Sequence, residues 1–172
     1  MPIAIGLDAP GHGRRHDPDR DRRWASDRDA ELCRLTLTAG AELPAVVDAM
    51  IAMGMPEPYG IVGVSLGAIS AWASLVHEPR FAGAVMVLGT PELPHPDSPH
   101  GNIEALRGRS ILAINAECDE IVPLAPTRDL IARLDPQDAS MRVIAGAPHL
   151  MSERDWWLVW GRVLEWLEHV RQ

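Results

Sequence analysis

Three residues of this sequence have the types and the placement that nucleophilic catalysis requires. Ser65 lies between Gly63 and Gly67 in the segment YGIVGVSLGAIS, which joins an apolar run to a helical pattern. Asp119 and His149 lie further along the chain, each shortly after another apolar run. A serine hydroxyl attacks a carbonyl carbon when a base takes its proton and an acid orients that base. Ser65, His149 and Asp119 could supply these three groups.

Each of these residues also has a simpler interpretation. Ser65 and Asp119 are of types that commonly form turns, and His149 could be an ordinary loop histidine. Their order along the chain, with each residue directly after a predicted strand, favours the catalytic interpretation over three unrelated loop positions.

The elements that must position these side chains are indicated by alternating apolar runs and helical patterns. Short apolar runs predict five strands, at residues 2–7, 59–64, 83–88, 110–116 and 141–145. Helical spacing predicts helices at residues 41–53, 66–77, 126–134 and 152–170. The charged segment 14–29 is predicted to be a solvated loop or the polar start of a helix. This alternation predicts a three-layer α/β/α fold with a mostly parallel sheet of about five strands. Residues 1–172 are expected to form a single domain.

In this arrangement the sequence resembles the α/β-hydrolase family, in particular small bacterial esterases and dienelactone-hydrolase-like members. The G-x-S-x-G segment at Ser65 is similar to the family's nucleophile turn between a strand and a helix. Asp119 followed by Glu-Ile-Val-Pro resembles the family's acid loop, and His149 matches the histidine before the last helix. Glu117 and Glu120 are alternatives for the acid that match the loop less well.

The resemblance begins late in the family's pattern. Residues 3–14, which read IAIGLDAPGHGR, resemble its fourth strand and its D-x-x-G-H-G loop, so three earlier strands have no counterpart. The resemblance implies that the backbone N–H of Leu66 supplies one donor of the oxyanion hole. The second donor stays open. Either the sequence is a truncated form of a longer protein, or Gly11 and His12 supply the donor in a minimal hydrolase.

The composition argues against several other classes of function. A formal net charge of -8 argues against a broad nucleic-acid surface. Two cysteines are too few for a disulfide framework or a zinc site, and we expect no metal and no cofactor. The N-terminus lacks the positive start of a signal peptide, and no membrane span is predicted, so we expect a cytoplasmic protein.

The last predicted helix is rich in tryptophan. Its helical spacing predicts one stripe of core residues, namely Trp156, Trp160, Val163, Leu164 and Leu167. Trp157 falls outside that stripe, and such surplus aromatic surface indicates a subunit interface. The sequence therefore predicts a homo-oligomer.

These features together predict a serine hydrolase that cleaves small carboxylic esters or thioesters through an acyl-enzyme. A peptidase or an acyltransferase would use the same triad, because the acceptor is selected by pocket shape. A catalytically weak or inactive hydrolase fold used for binding or assembly is a further alternative, favoured by the missing oxyanion segment.

Overall fold

The computed structural model describes residues 3–170, with the side chains of residues 3–168. The elements follow in the order α1 (Arg20–Ser26), α2 (Arg28–Ala52), β1 (Tyr59–Val64), α3 (Leu66–His77), β2 (Phe81–Val87), β3 (Ser110–Ala116), α4 (Ala125–Ile131), β4 (Ala139–Ile144) and α5 (Glu153–Val170). Two short 3-10 helices, Gly13–Arg15 and Ile103–Leu106, lie in the connections.

The strands of the described residues form one parallel sheet in the order β1-β2-β3-β4. The connections cross over through α3 between β1 and β2, through the loop with the 3-10 helix Ile103–Leu106 between β2 and β3, and through α4 between β3 and β4. All four strands therefore point the same way and end at one edge of the sheet. Ser65 directly follows β1, Asp119 follows β3 and His149 follows β4. The fold therefore brings the three predicted site residues to the same edge.

Helices cover both faces of this sheet, and the predicted three-layer α/β/α architecture is confirmed. On one face α2, α3 and α4 pack against alternate strand residues such as Met86 and Ile111. On the other face α5 packs against the residues between them, such as Val85 and Leu112. Because successive strand side chains point to opposite faces, a strand covered on both sides must be apolar throughout.

The sheet has four strands in the described part of the chain, and the prediction of about five was wrong. The difference lies at the N-terminus, where residues 3–9 form no strand, while Pro2 lies outside the described residues. Ile3, Ile5 and Leu7 are exposed. An alternating apolar segment becomes a strand only when a neighbouring strand can pair with its backbone, and none is paired with this one.

The helix predicted at residues 41–53 is much longer, since α2 begins at Arg28. Asp27 caps its N-terminus, because its carboxylate accepts a hydrogen bond from the N–H of Ala30 at 3.0 Å. The dense charges of segment 14–29 conceal this start in the sequence. Part of that segment also forms α1.

The charges around the start of α2 form an ion cluster around the buried Glu31. The Glu31 carboxylate is 2% exposed and accepts hydrogen bonds from Arg23 Nε at 2.9 Å and Arg34 Nε at 2.7 Å. Asp17 binds the same Arg23 guanidinium. Hydrogen bonds from Arg34 and then Arg23 hold the pKa of Glu31 at about 2, below its usual value of 4.5. This cluster joins α1 to α2.

By length and composition alone, α2 could cross a membrane, and it is the single helix of the described residues that meets both criteria. A core helix of a globular protein meets them as well. Here Leu43 and Val47 of α2 are buried in one cluster with Trp72 and Leu75 of α3.

In α5 the buried stripe differs from the prediction. Ser152 caps the helix as expected, because its hydroxyl accepts from the N–H of Asp155 while the Asp155 carboxylate accepts from the N–H of Ser152. The buried residues, however, are Val159, Val163 and Trp166, with Trp156 and Leu167 partly buried. Trp160 and Leu164 are exposed. The buried stripe is rotated about the helix axis relative to the predicted one. Apolar residues occur on most sides of α5, so helical spacing alone does not identify the side that packs on the sheet.

Candidate active site

Ser65 occupies a sharp turn between β1 and α3. Its backbone angles are φ 50° and ψ −116°, a conformation that residues other than glycine rarely adopt. The N–H of Ser65 donates to the carbonyl of Val87 at 2.8 Å, which ties the turn to the end of β2. A residue held in such a strained conformation presents its side chain at the tip of the turn.

The two glycines beside Ser65 have different roles. A Cβ on Gly63 would lie 2.2 Å from the carbonyl oxygen of Gly67 and 2.6 Å from the nitrogen of Ala68. No side chain fits there, so the strand can approach the helix only with glycine at position 63. A Cβ on Gly67 would meet nothing within 4 Å. The close approach of the turn to the helix therefore depends on Gly63 and not on Gly67.

Ser65, His149 and Asp119 are brought into one hydrogen-bonded chain. Ser65 Oγ lies 3.0 Å from Nε2 of His149, and Nδ1 of the same ring lies 2.8 Å from Oδ2 of Asp119. The Asp119 side chain is 1% exposed and that of His149 is 8% exposed. An imidazole whose Nδ1 donates to a carboxylate has its Nε2 free to accept a proton from the serine hydroxyl.

The acid loop holds Asp119 by its second oxygen. Oδ1 accepts hydrogen bonds from the N–H groups of Ile121 and Val122, at 2.9 and 2.8 Å, which leaves Oδ2 directed at His149. The neighbouring carboxylates make other contacts. Glu117 accepts from the N–H of Gly146, and Glu120 accepts a long bond of 3.4 Å from the N–H of His149.

Gly89, which lies shortly after β2, contacts β3, α4 and α3, and the sequence alone did not identify it. Its carbonyl accepts hydrogen bonds from the side chains of Asn115 and Thr127, both at 3.1 Å. A Cβ on Gly89 would lie 2.5 Å from Cβ of Ala68, so glycine lets this loop contact α3. The signal available in the sequence was Asn115, a polar residue within the apolar strand β3.

Several solved structures share this arrangement of elements. TT1662 from Thermus thermophilus superposes with a TM-score of 0.71 and 24% identity, over 95% of this chain and 75% of that one. A cold-adapted esterase from an Arctic intertidal metagenomic library gives 0.65 and 18%, over 91% and 66%. ATU1826 from Agrobacterium tumefaciens, described as a candidate α/β hydrolase, gives 0.56 and 20%, over 72% and 56%.

The fold is that of the α/β hydrolases. The resemblance found in the sequence is confirmed at the level of the fold. No protein-family model and no curated protein matches the sequence. The chain spans less than two thirds of the length of the Arctic esterase and of ATU1826.

Within this hydrolase fold, the N-terminus of α3 points backbone donors at the edge where Ser65 lies. Among residues 3–170, no acceptor is found for the N–H of Leu66 or of Gly67. Unpaired N–H groups at a helix N-terminus attract negative charge. Leu66, directly after Ser65, thus offers a backbone donor at this edge.

The loop that contains Gly11 and His12 has contacts of its own. The N–H of His12 donates to the carbonyl of Ala9 at 3.0 Å, and a Cβ on Gly11 would touch Arg20 and Leu35. The bond to Ala9 occupies the N–H of His12 in this conformation. Gly11 pairs with His16 in an isolated parallel β-bridge.

The loop after Gly89 forms an ordered rim. Leu93 is buried against Ile69 and Ala73 of α3. The Ser98 hydroxyl accepts from the N–H of Leu93 and donates to the carbonyl of Pro91, at 3.2 and 3.1 Å. These internal bonds fix the rim on the helix that follows the serine.

Proposed function

We propose that this protein is a serine hydrolase that cleaves small carboxylic esters or thioesters. The observation that carries the proposal is the continuous hydrogen-bonded chain from Ser65 Oγ through His149 to Asp119. Its support includes the strained turn at Ser65 and the esterases among the proteins with the same fold. Three residue types in the geometry of one reaction are unlike a chance cluster of loop residues.

In the proposed mechanism His149 acts as the general base. Nε2 takes the proton of the Ser65 hydroxyl while Oγ forms a bond to the acyl carbon, which gives a tetrahedral oxyanion. Asp119 keeps Nδ1 protonated and stabilises the imidazolium. The protonated Nε2 then gives its proton to the leaving alcohol or thiol as the bond from the acyl carbon to that group breaks.

The second half of the reaction repeats these steps with water. His149 removes a proton from the water as its oxygen attacks the acyl carbon of the Ser65 ester. Collapse of the second oxyanion returns the proton to Ser65 and releases the carboxylic acid. In both halves we assign oxyanion stabilisation to the N–H of Leu66, with Gly11 as the second donor.

The chemical test is reaction with a fluorophosphonate followed by intact mass measurement and peptide mapping. We expect one adduct per chain at Ser65, and none in the Ser65→Ala variant. The matched control is Ser70→Ala, because Ser70 is a serine of α3 whose hydroxyl donates to the carbonyl of Leu66. Labelling that persists in Ser65→Ala, or a folded protein that takes up no label, would contradict the proposal.

A second candidate is a hydrolase fold that binds or assembles and turns over slowly. The observation that favours it is the bond between the N–H of His12 and the carbonyl of Ala9, which removes one candidate donor. One missing donor costs about 2.7–4 kcal/mol of transition-state stabilisation. Single-turnover acylation by p-nitrophenyl acetate separates the two. Rapid release of one equivalent of nitrophenol, with the acetyl group left on Ser65, supports the esterase. Very slow release supports the binding protein.

Peptidase and acyltransferase activity depend on the same three side chains. A panel of esters, thioesters, anilides and alcohol acceptors offered to the acyl-enzyme distinguishes them. We expect hydrolysis of short-chain esters to be fastest. Faster transfer to an alcohol than to water would assign the protein to the acyltransferases instead.

A further inference from the structure

The outer face of α5 carries an apolar stripe that the hydrolase site does not use. Trp157 is 71% exposed and Leu164 is 61% exposed, and Trp160 lies between them on the same side of the helix. Trp160 stacks on Trp156 with ring centroids 5.9 Å apart, so the exposed indole is held in place. Large apolar side chains that are contiguous at a surface mark contacts with another molecule.

Gly161 lies at the centre of this face. A Cβ at this position would meet nothing within 4 Å, so no contact within the chain requires glycine. Glycine also destabilises the middle of a helix relative to alanine. A glycine in the middle of an exposed apolar face allows another helix to approach closely.

The charges on this face select the partner. Arg154 and Glu168 are exposed and lie two turns before and two turns after Gly161. We propose that a second copy of this chain docks on α5, with the two helices antiparallel and related by a two-fold axis at Gly161. The axis places Arg154 of each copy opposite Glu168 of the other. It also places Trp157 of each copy beside Leu164 of the other.

Charge complementarity between Arg154 and Glu168 favours the antiparallel pairing over the parallel one. Two parallel helices in register would place Arg154 opposite Arg154 and Glu168 opposite Glu168, and like charges across an interface are repulsive. The antiparallel pairing forms two oppositely charged contacts, each between Arg154 of one copy and Glu168 of the other. A self-complementary surface of this kind is what a two-fold homodimer requires.

The first test is sedimentation equilibrium of the whole protein, from about 1 to about 200 µM. We expect a monomer–dimer equilibrium that Leu164→Glu abolishes, because it buries a carboxylate in the contact. The matched control is Val62→Glu, which places the same charge at an exposed position of the edge strand β1. Dimers that persist in Leu164→Glu and dissociate in Val62→Glu, or a wild-type monomer throughout, would overturn the proposal.

The second test is a charge exchange. Arg154→Glu and Glu168→Arg should each raise the dimer dissociation constant by about tenfold or more. An equimolar mixture of the two single variants should form a heterodimer with wild-type affinity, because both opposing pairs are then restored. The two positions of one helix are about 21 Å apart, well beyond the Debye length of about 8 Å. Rescue within one chain is therefore excluded, and failure of the mixture to dimerise would overturn the proposal.

Circular dichroism of every variant checks that the fold is retained. Arg154, Leu164 and Glu168 lie on α5 and take no part in the hydrogen-bonded chain of Ser65, His149 and Asp119. The labelling test of the proposed chemistry and this test of assembly can therefore fail independently of each other.

Discussion

At the scale of single residues, the site depends on backbone positions as much as on reactive side chains. Ser65 is held at a positive φ by its own bond to Val87 and by the close approach that Gly63 permits. Asp119 is oriented by two backbone N–H groups before it reaches His149. The three groups of the proposed mechanism are thus preorganised by local geometry, which favours proton transfer.

Asp119 should be the carboxylate on which activity depends. We expect Asp119→Asn to lower kcat for p-nitrophenyl acetate by about 10⁴-fold, because the neutral amide no longer holds the reactive tautomer of His149. The matched controls are Glu117→Gln and Glu120→Gln, which should change kcat by less than about tenfold. Steady-state kinetics of the three variants provides the measurement. A larger loss of kcat in Glu120→Gln than in Asp119→Asn would show that Asp119 is not the acid that orients His149.

The two glycines beside Ser65 should differ in their tolerance of alanine. Gly63→Ala places a methyl group 2.2 Å from a backbone oxygen, so we expect a loss of about 1–3 kcal/mol or more in unfolding free energy. Gly67→Ala meets open space and lies in a helix, so we expect no loss and a gain of up to about 1 kcal/mol. Urea unfolding of both variants measures this difference. Equal destabilisation would contradict the geometry of the turn.

At the scale of elements, the sequence predicted what depends on apolar periodicity and missed what depends on contacts between distant residues. The limits of β1, β3 and α3 agree with the prediction, because a buried strand and a buried helix are apolar throughout or on one side. The start of α2 was missed because its dense charges are typical of a solvated loop. In the fold, Glu31 is instead paired with Arg23 and Arg34, and no local pattern shows this pairing. The segment 3–7 has a strand pattern without a strand partner, which no local pattern reveals.

The site was predicted in part for the same reason. Ser65, Asp119 and His149 could be selected because each follows a strand, and parallel strands end at one edge. Gly89 has no signal of its own in the sequence, and only the polar Asn115 within the apolar strand β3 hints at a buried contact. Its role comes from Asn115 and Thr127, which reach its carbonyl from two other elements.

The ion cluster at Glu31 should contribute stability that depends on pH. The lowered pKa of Glu31, about 2, means that its carboxylate stabilises the folded state above the ordinary value of 4.5. That contribution is lost as the pH falls through about 2. We expect Glu31→Gln to lose about 1–3 kcal/mol at neutral pH, and the difference from wild type to shrink below about pH 4.5.

Urea unfolding between neutral and acidic pH measures this difference. Glu104→Gln is the control, because Glu104 forms an exposed pair with Arg107, and we expect a change below about 1 kcal/mol. A difference between wild type and Glu31→Gln that stays constant from neutral pH to pH 2 would show that its origin is packing and not charge.

At the scale of the whole molecule, the two faces of the sheet are covered unequally. In the described part of the chain, α2, α3 and α4 cover one face of the sheet and α5 covers the other. Val159 and Val163 of α5 pack on the sheet, while large apolar side chains such as Trp157 and Leu164 are exposed on its outer side. The proposed pairing of two α5 helices would cover that outer side. Stability and assembly are then linked, since a dimer that forms only from folded chains shifts the folding equilibrium.

This linkage predicts an unfolding temperature that depends on concentration. We expect the midpoint of wild-type thermal unfolding to rise as the protein concentration rises through the dimer dissociation constant. The Leu164→Glu variant should give one midpoint at all concentrations. Differential scanning calorimetry of both proteins over a hundredfold range tests this, and a wild-type midpoint that stays constant would contradict the linkage.

The separation of Ser65 from its partners along the chain has a consequence for the order of folding. Ser65 and His149 are 84 positions apart, and Asp119 and His149 are 30 apart. The loop of His149 follows β4, which comes last along the chain among the strands of the described residues, so the three groups can meet only after that strand has joined the sheet. Contacts so distant in sequence form late. Fluorophosphonate labelling during refolding would therefore time the completion of the sheet, and reactivity would lag behind the recovery of helical circular dichroism.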